Sequence, residues 1–141
     1  MKKKDIRILL VDDDADILEI VGYNLSQEGY QISTAINGRE AIAKAKKVLP
    51  HLIIMDVMMP EMDGMEACEN IRKIPELSNV IITFLTARSE DYSHVAGFDA
   101  GADDYITKPI KQKLLVSKVK ALLRRLKETE IDQFTRKYKL L

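Results

Sequence analysis

Five short runs of β-branched and aliphatic residues alternate with longer stretches of helical periodicity, and this alternation constrains the fold more than any other feature. Each run is continuous and does not alternate strictly between apolar and polar residues, as in strands that are covered on both faces, so we expect a parallel sheet between two layers of helices. Right-handed crossovers between successive strands then give an α/β sandwich. The predicted strands are residues 6–11, 30–35, 51–56, 80–85 and 104–107.

The first three stretches between these runs predict helices that each bury one apolar side. The first ends near Gly29, a residue type suited to a C-terminal cap. The second stops at Pro50, and the third begins after Asp63, a suitable N-cap. The expected inward residues are Ile17, Ile20, Val21 and Leu25 in the first, Ala41, Ala45, Val48 and Leu49 in the second, and Ala67, Cys68, Ile71 and Ile74 in the third.

The two remaining predicted helices differ in how strongly the sequence anchors them. The fourth, about residues 91–100, offers little apolar surface beyond Val95 and Phe98. The last begins after Pro109 and repeats apolar residues at a spacing of four, three and four up to Leu126. Beyond Leu126 the apolar frame slips, so this helix either continues with a stutter or breaks near residues 128–132. We therefore expect one domain over residues 1–126 and an extension or linker over 127–141.

Composition and charge exclude several classes of protein. The single cysteine, Cys68, cannot form an internal disulfide, which excludes a disulfide-stapled secreted scaffold and favours a cytoplasmic location. The apolar runs fall far short of the ~20 residues that span a bilayer, so we expect a soluble protein. The net charge of zero conceals a division, because residues 1–107 hold 11 basic against 19 acidic side chains while residues 108–141 hold 11 against 3.

Polar side chains follow four of the five predicted strands. Asp12 and Asp13 follow the first, Asp56 ends the third, Thr86 follows the fourth and Lys108 follows the fifth. Ligands of parallel sheets bind beyond the carboxyl ends of the strands, where three carboxylates would repel one another unless a cation such as Mg²⁺ joined them. A lysine and a hydroxyl beside that ion suit a phosphoryl group. We expect Asp56 to accept it as an aspartyl phosphate.

The chain resembles the receiver domain of two-component response regulators over about residues 5–126. The resemblance lies in five motifs in order: Asp12-Asp13, Asp56 with the Met-Met-Pro-Glu-Met-Asp-Gly run at 58–64, Leu85-Thr86-Ala87, Gly-Ala-Asp-Asp-Tyr at 101–105, and Thr107-Lys108-Pro109. It implies a flavodoxin-like (CheY-like) fold, a doubly wound five-stranded parallel sheet in the order 2-1-3-4-5 with five helices. It also implies that a sensor histidine kinase donates a phosphoryl group to Asp56.

The resemblance assigns a role to each residue of the predicted site. Asp13, Asp56 and the backbone carbonyl of Met58 would coordinate Mg²⁺ directly, and Asp12 would act largely through water. Lys108 would pair with the phosphoryl oxygens. The chain would catalyse only its own phosphorylation and dephosphorylation, and it would turn over no separate substrate.

The resemblance also implies a switch. Thr86 would hydrogen-bond the new phosphoryl group, and Tyr105 would turn inward into the space that Thr86 leaves. These movements would reshape the face built from the fourth helix, the fifth strand and the last helix. In this family the bond between Lys108 and Pro109 is usually cis.

The chain looks most like the OmpR/PhoB-type subgroup in two motifs, Gly-Ala-Asp-Asp-Tyr at 101–105 and Ala-Leu-Leu-Arg-Arg at 121–125. Receivers of this subgroup dimerise through the face of the fourth helix, the fifth strand and the last helix, and they carry a winged-helix DNA-binding domain. We expect a fragment of such a transcription factor, with DNA contacted only by the absent effector domain; a stand-alone phosphorelay receiver is the alternative. The subgroup's interface positions are Asp103, Asp104, Lys118 and Arg125 in this sequence. Asp103 and Arg125 remain as a matching pair, whereas Lys118 replaces an arginine and can meet Asp104 only without a bidentate fork. His94 and Leu114 replace an arginine and a glutamate that pair across the subgroup's dimer, so that salt bridge cannot form in the usual way.

Two functions from other classes compete with this interpretation. A haloacid-dehalogenase-like phosphatase also forms an aspartyl phosphate, but its nucleophile follows the first strand in an Asp-x-Asp-x-Thr/Val pattern that Asp12 to Asp16 does not complete. A flavodoxin would need a hydroxyl- and glycine-rich phosphate loop after that strand, which the sequence lacks. A calcium loop beginning at Asp12 is excluded, because Ile17 and Tyr23 stand where glycine and glutamate are required.

Overall fold

The computed structural model describes residues 2–87 and 98–138, with side chains up to Leu126. Its five strands form one parallel sheet in the order β2-β1-β3-β4-β5, and each strand lies within one residue of its predicted bounds. The elements in chain order are β1 (Arg7–Val11), α1 (Ala15–Gln27), β2 (Gln31–Ala35), α2 (Gly38–Val48), β3 (Leu52–Asp56), α3 (Gly64–Arg72), β4 (Ile81–Thr86), β5 (Asp104–Thr107) and α4 (Gln112–Tyr138). The predicted doubly wound fold is confirmed.

The sheet carries a separate apolar core on each face, because successive strand residues point to opposite sides. On one face α2 and α3 cover the strands with small side chains such as Ala41, Ala45 and Ala67. On the other face α1 and α4 cover them with larger side chains, including Leu25 and Leu115. The central strand β3 is buried along its whole length, as its continuous apolar sequence predicts.

The helices begin and end where short-range chemistry specifies. The side chains of Asp14, Asn37 and Asp63 each accept a hydrogen bond from a backbone N–H in the first turn of α1, α2 and α3. Gly29 follows α1 with a φ of 103°, a backbone conformation that favours glycine. The predicted N-cap at Asp63 and the predicted glycine cap are therefore confirmed.

Two predicted core residues lie at the surface. Ile20 is 50% exposed on α1, because Val21 and Leu25 define the buried side and Ile20 lies about 100° away from Val21 around the helix. Leu49 is 41% exposed and adopts a left-handed conformation with a φ of 51°. Pro50 disfavours the right-handed helical conformation at the preceding residue, so Leu49 caps α2 instead of extending its buried side.

The C-terminal helix α4 runs without a break from Gln112 to Tyr138, so the helix continues past the shift of its apolar frame. Leu115, Val119 and Leu122 are buried as predicted. The division into a domain over 1–126 and an extension over 127–141 stays a prediction. Most of the fourth predicted helix, about 91–100, lies outside the described residues. No helix in the described ranges is long and apolar enough to cross a membrane.

Candidate functional site

The carboxyl ends of β1, β3, β4 and β5 meet at one edge of the sheet. The registers pair Val11 with Met55, then Asp56 with Leu85, and Thr86 with Thr107. The residues that follow these strand ends are therefore neighbours in space, as the rule for parallel sheets predicts. We refer to this edge as the acidic edge.

Three of the predicted site residues share one face of the sheet at the acidic edge. Asp12, Asp56 and Lys108 each lie two residues after a strand residue that is buried beneath α1 and α4, and the period of two places them on that same side. Those preceding residues are Leu10, Ile54 and Ile106. The alternating strand geometry thus brings two carboxylates and an ammonium together from three separate segments.

Lys108 bridges the two buried carboxylates of the acidic edge. Its Nζ donates to Oδ2 of Asp12 at 3.0 Å and lies 3.5 Å from Oδ2 of Asp56. The side chain of Asp12 is 1% exposed and that of Asp56 is 8% exposed, so both charges are largely withdrawn from water. One cation is shared by two carboxylates, which leaves the buried group with an excess of negative charge.

The electrostatic environment opposes ionisation of Asp56. The pKa of Asp56 is raised to about 6, first by burial and then by the charge of Asp12, and Lys108 together with the Met58 N–H only partly offsets these effects. For Lys108, burial alone would lower the pKa, but the hydrogen bonds and charges of Asp12 and Asp56 outweigh burial and raise it. The lysine therefore stays charged while Asp56 resists ionisation.

The donor set at the acidic edge fits a hard divalent cation. One oxygen from each of Asp12, Asp13 and Asp56 can be chosen so that all three lie within 4.8 Å of one another. Asp13 is exposed, which leaves one side of the cluster open to water, and all-oxygen ligation with retained water is typical of Mg²⁺. Met58 lies beside the cluster, since its N–H donates to Oδ1 of Asp56 at 3.3 Å.

Gly64 holds the loop that follows Asp56 against the end of β3. A Cβ atom at Gly64 would lie 2.3 Å from the carbonyl oxygen of Asp56, a backbone atom that cannot move aside cheaply. The Gly64 N–H donates to the carbonyl of Val57 at 2.8 Å, and the Val57 N–H donates to Leu85 at 3.1 Å. Asp63 and Gly64 were predicted only as the start of a helix, and the close approach of Gly64 to β3 was not predicted. Gly64 lies seven residues, or about two helical turns, before the buried Ile71 and therefore on the same side of the predicted helix. A glycine on that buried side was the signal that could have indicated a close approach.

Thr86 and Tyr105 lie toward the opposite face of the sheet from Lys108. Thr86 is 5% exposed and follows Phe84 by two residues, while Tyr105 packs against the core beneath α2 and α3. The Tyr105 ring contacts Phe98 edge-on at 6.1 Å between centroids. The structure thus places the two predicted switch residues on one side of the sheet, and their movement stays a prediction.

The four predicted interface residues form ion pairs within the chain. Arg125 lies 3.4 Å from Asp103, and Lys118 lies 3.7 Å from Asp104 and donates to the Tyr105 carbonyl at 2.9 Å. His94 falls outside the described residues, and Leu114 is 50% exposed. The peptide bond between residues 108 and 109 is cis, as the resemblance implies.

Comparisons with known proteins agree with this geometry. Residues 8–120 match the family described as the response regulator receiver domain. The chain is 42% identical over 119 residues to the alkaline phosphatase synthesis transcriptional regulatory protein PhoP of Bacillus subtilis (strain 168), across 84% of this chain and 49% of that protein. It is 38% identical over 130 residues to the phosphate regulon transcriptional regulatory protein PhoB of Rhizobium meliloti (strain 1021), across 92% and 57%.

A solved structure shows the same fold. The chemotaxis response regulator CheY4 of Vibrio cholerae has a TM-score of 0.81 and 33% identity over 84% of this chain and 98% of that chain. The present chain spans about half the length of the curated relatives that it matches. These relatives also confirm the OmpR/PhoB-type subgroup. The chain therefore belongs to the response regulator receiver domain family of two-component systems.

Proposed function

We propose that a sensor histidine kinase phosphorylates this chain on Asp56 and that the phosphoryl group controls an output. The observation that carries the proposal is the shared position of Lys108 between Asp12 and Asp56, with Asp13 close enough to complete a cation site. The cluster lowers folding stability, because the carboxylates repel one another and two of them are buried. A role as a phosphoacceptor site explains why the protein keeps this unfavourable arrangement.

The side chains of the acidic edge suit in-line transfer to a carboxylate. An oxygen of Asp56 attacks phosphorus, the new O–P bond forms, and the bond from phosphorus to the kinase histidine nitrogen breaks. Lys108 neutralises charge on the transferred group, and the Thr86 hydroxyl donates a hydrogen bond to it. Mg²⁺, held by Asp13, Asp56 and the Met58 carbonyl with Asp12 near by, would neutralise further charge on the phosphoryl oxygens.

The output that we propose is transcription through a winged-helix domain outside this chain, because relatives named as transcriptional regulators are about twice as long. Phosphorylation would act through the face around β5 and α4, where Asp103, Asp104, Lys118 and Arg125 would form a homodimer contact. We further propose a cytoplasmic location, which fits the single buried thiol of Cys68. Because the chain belongs to the receiver domain family, we no longer favour a phosphatase or a flavodoxin.

The test is to incubate the 141-residue chain with Mg²⁺ and acetyl phosphate. We expect one phosphoryl group per chain, stable in acid and released by hydroxylamine, detected by intact mass. Asp56→Asn should reduce labelling at least about 100-fold, because the amide is a far weaker nucleophile than the carboxylate. The matched control is Asp63→Asn in the same loop, which keeps a side-chain oxygen at the helix cap and should label normally. Equal labelling of Asp56→Asn and the parent chain would refute the proposal.

A further inference from the structure

Cationic side chains from the two ends of the sequence meet at one corner of the fold. Lys3 lies in a short 3-10 turn (Lys3–Asp5) before β1, and Lys120 and Arg124 lie one turn apart on α4. All three line a cavity of about 150 Å³ at the amino-terminal edge of the sheet, opposite the acidic edge. We call these three residues the basic corner.

The basic corner holds more positive than negative charge. Glu28 lies 3.0 Å from Lys120 and 3.8 Å from Lys3, so one carboxylate is shared by two ammonium groups. The hydrogen bond and charge of Lys120, and then the charge of Lys3, lower the pKa of Glu28. Arg124 adds a third cation at the rim of the cavity. Among the described side chains that line or contact the cavity, three cations thus face one carboxylate.

The groups around the cavity are those that bind phosphate oxygens. Lysine binds phosphate as a point charge, and arginine can donate two parallel hydrogen bonds to it. Tyr30 also lines the cavity, and burial raises the pKa of its hydroxyl, which therefore stays protonated as a donor. The remaining wall is apolar, formed by Ile6, Leu123 and Leu126. The cations themselves remain accessible to a ligand, since the side chains of Lys3 and Lys120 are 54% and 46% exposed.

The position of the basic corner favours a polyanion that approaches from the end of the domain where α4 leaves it. Leu126 lines the cavity, and α4 continues from there to Tyr138. In a longer regulator, chain that follows α4 would leave the domain on this side, and DNA bound by an effector domain would be the nearest polyanion. The negative acidic edge lies at the other end of the sheet, so repulsion also directs DNA toward the basic corner.

We propose that the basic corner binds the phosphodiester backbone of double-stranded DNA, so that the receiver domain itself contacts DNA. We expect the contact to be independent of base sequence, because phosphate oxygens are the same at every base pair and carry no sequence information. The choice of DNA rests on the proposed transcriptional output, whereas the anion-binding character rests on the geometry alone.

The first test measures binding of the 141-residue chain to a fluorescent 20-base-pair duplex of arbitrary sequence at increasing salt. Removing two phosphate contacts in Lys120→Gln/Arg124→Gln should weaken binding roughly tenfold at low salt and reduce the slope of log K against log salt by about two. The matched control is Lys46→Gln/Lys47→Gln, two exposed cations of α2 that lose the same net charge elsewhere. The control should keep the slope of the parent chain.

The second test is a gain of affinity. Glu28→Gln removes the carboxylate that occupies Lys3 and Lys120 and should tighten binding about threefold and steepen the salt slope. This variant guards against misfolding as an explanation, since a damaged fold would not bind more tightly. Thermal unfolding of every variant is measured in parallel, and Arg124→Gln alone replaces the double variant if that variant does not fold.

Three results would overturn the proposal: no binding of the parent chain to the duplex at 20 mM salt, equal loss in the two double variants, or no gain in Glu28→Gln. A separate experiment measures binding to vesicles of phosphatidylserine and phosphatidylcholine. If the chain binds these vesicles through the basic corner but does not bind DNA, the choice of DNA is overturned. Acetyl phosphate labelling of the same samples separates this proposal from the previous one. Normal labelling of Asp56 with no DNA binding refutes the basic corner alone.

Discussion

The two edges of the sheet share charges in opposite ways. At the acidic edge one cation, Lys108, lies between two carboxylates, Asp12 and Asp56. The opposite edge has two clusters, and in each of them one carboxylate lies between two cations. Asp103 pairs with Arg72 and Arg125, and Glu28 pairs with Lys3 and Lys120. The first edge is short of positive charge and the second is short of negative charge.

This difference teaches where each edge can bind a ligand. Like charges brought together in a buried site oppose folding, and an added counter-ion relieves the repulsion. We therefore expect the acidic edge to attract a cation, whose charge then favours binding of a phosphoryl group. We expect the opposite edge to attract an anion. The exposures differ as well, since Asp12 is 1% exposed while the Lys120 side chain is 46% exposed. Binding at the acidic edge should thus depend on precise geometry, and binding at the opposite edge on salt.

The largest effect is expected for Gly64→Ala, which tests that dependence on geometry. The new Cβ would meet the Asp56 carbonyl oxygen at 2.3 Å, so the backbone must shift at the end of β3. We expect a loss of about 3 kcal/mol in the free energy of unfolding, together with loss of acetyl phosphate labelling. Urea unfolding and intact mass measure the two effects.

Gly22→Ala is the matched control for that change. A Cβ at Gly22 would make ordinary contacts, with the nearest atom of Leu10 at 3.6 Å. Alanine within α1 should stabilise the protein by about 0.5–1 kcal/mol, because glycine disfavours helix interiors. If both variants were equally stable and Gly64→Ala labelled normally, close backbone approach would not be what positions Asp56.

Much of this molecule could be predicted because its signals are local. Short runs rich in β-branched and aliphatic residues predicted all five strands. The residues at or directly after the strand ends include Asp12, Asp56 and Lys108, which the parallel arrangement must bring together. The cap at Asp63 depends on neighbouring residues alone. These features require no knowledge of which elements pack together.

The features that were missed depend on contacts between distant or competing segments. Ile20 fits the helical spacing of α1, but the side that faces the sheet is decided by Val21 and Leu25. Leu49 was assigned to the core, although the following Pro50 disfavours a helical continuation and Leu49 caps α2 in a left-handed conformation. The role of Gly64 depends on the path of β3 above it, and the meeting of the two chain ends around Glu28 depends on the packing of α4. The spacing of apolar residues along the sequence predicts none of these contacts.

The stability of the acidic edge should depend on pH, because the pKa of Asp56 is raised. The pKa of Asp56 is raised from 3.8 to about 6, so the folded protein binds this proton more tightly than the unfolded chain does. Stability contributed by protonated Asp56 is therefore present below pH 4 and lost as pH rises to about 6. Without divalent cations, Asp56→Asn should be more stable than the parent chain by about 2 kcal/mol above pH 6, with little difference at pH 4. Urea titrations measure this, and parallel stability profiles would contradict it.

The smallest effect concerns the unequal cations around Asp103. The Arg72 side chain is 20% exposed, lies 3.0 Å from Asp103, and donates to the carbonyls of Gly101, Ser78 and Val80. Arg72→Gln should cost about 1–2 kcal/mol at any salt concentration, since it leaves half-buried acceptors without their donor. The Arg125 side chain is 55% exposed at 3.4 Å, so Arg125→Gln should cost under about 0.5 kcal/mol and nothing at 1 M salt. Equal costs for the two variants would show that net charge, rather than burial, stabilises this edge of the sheet.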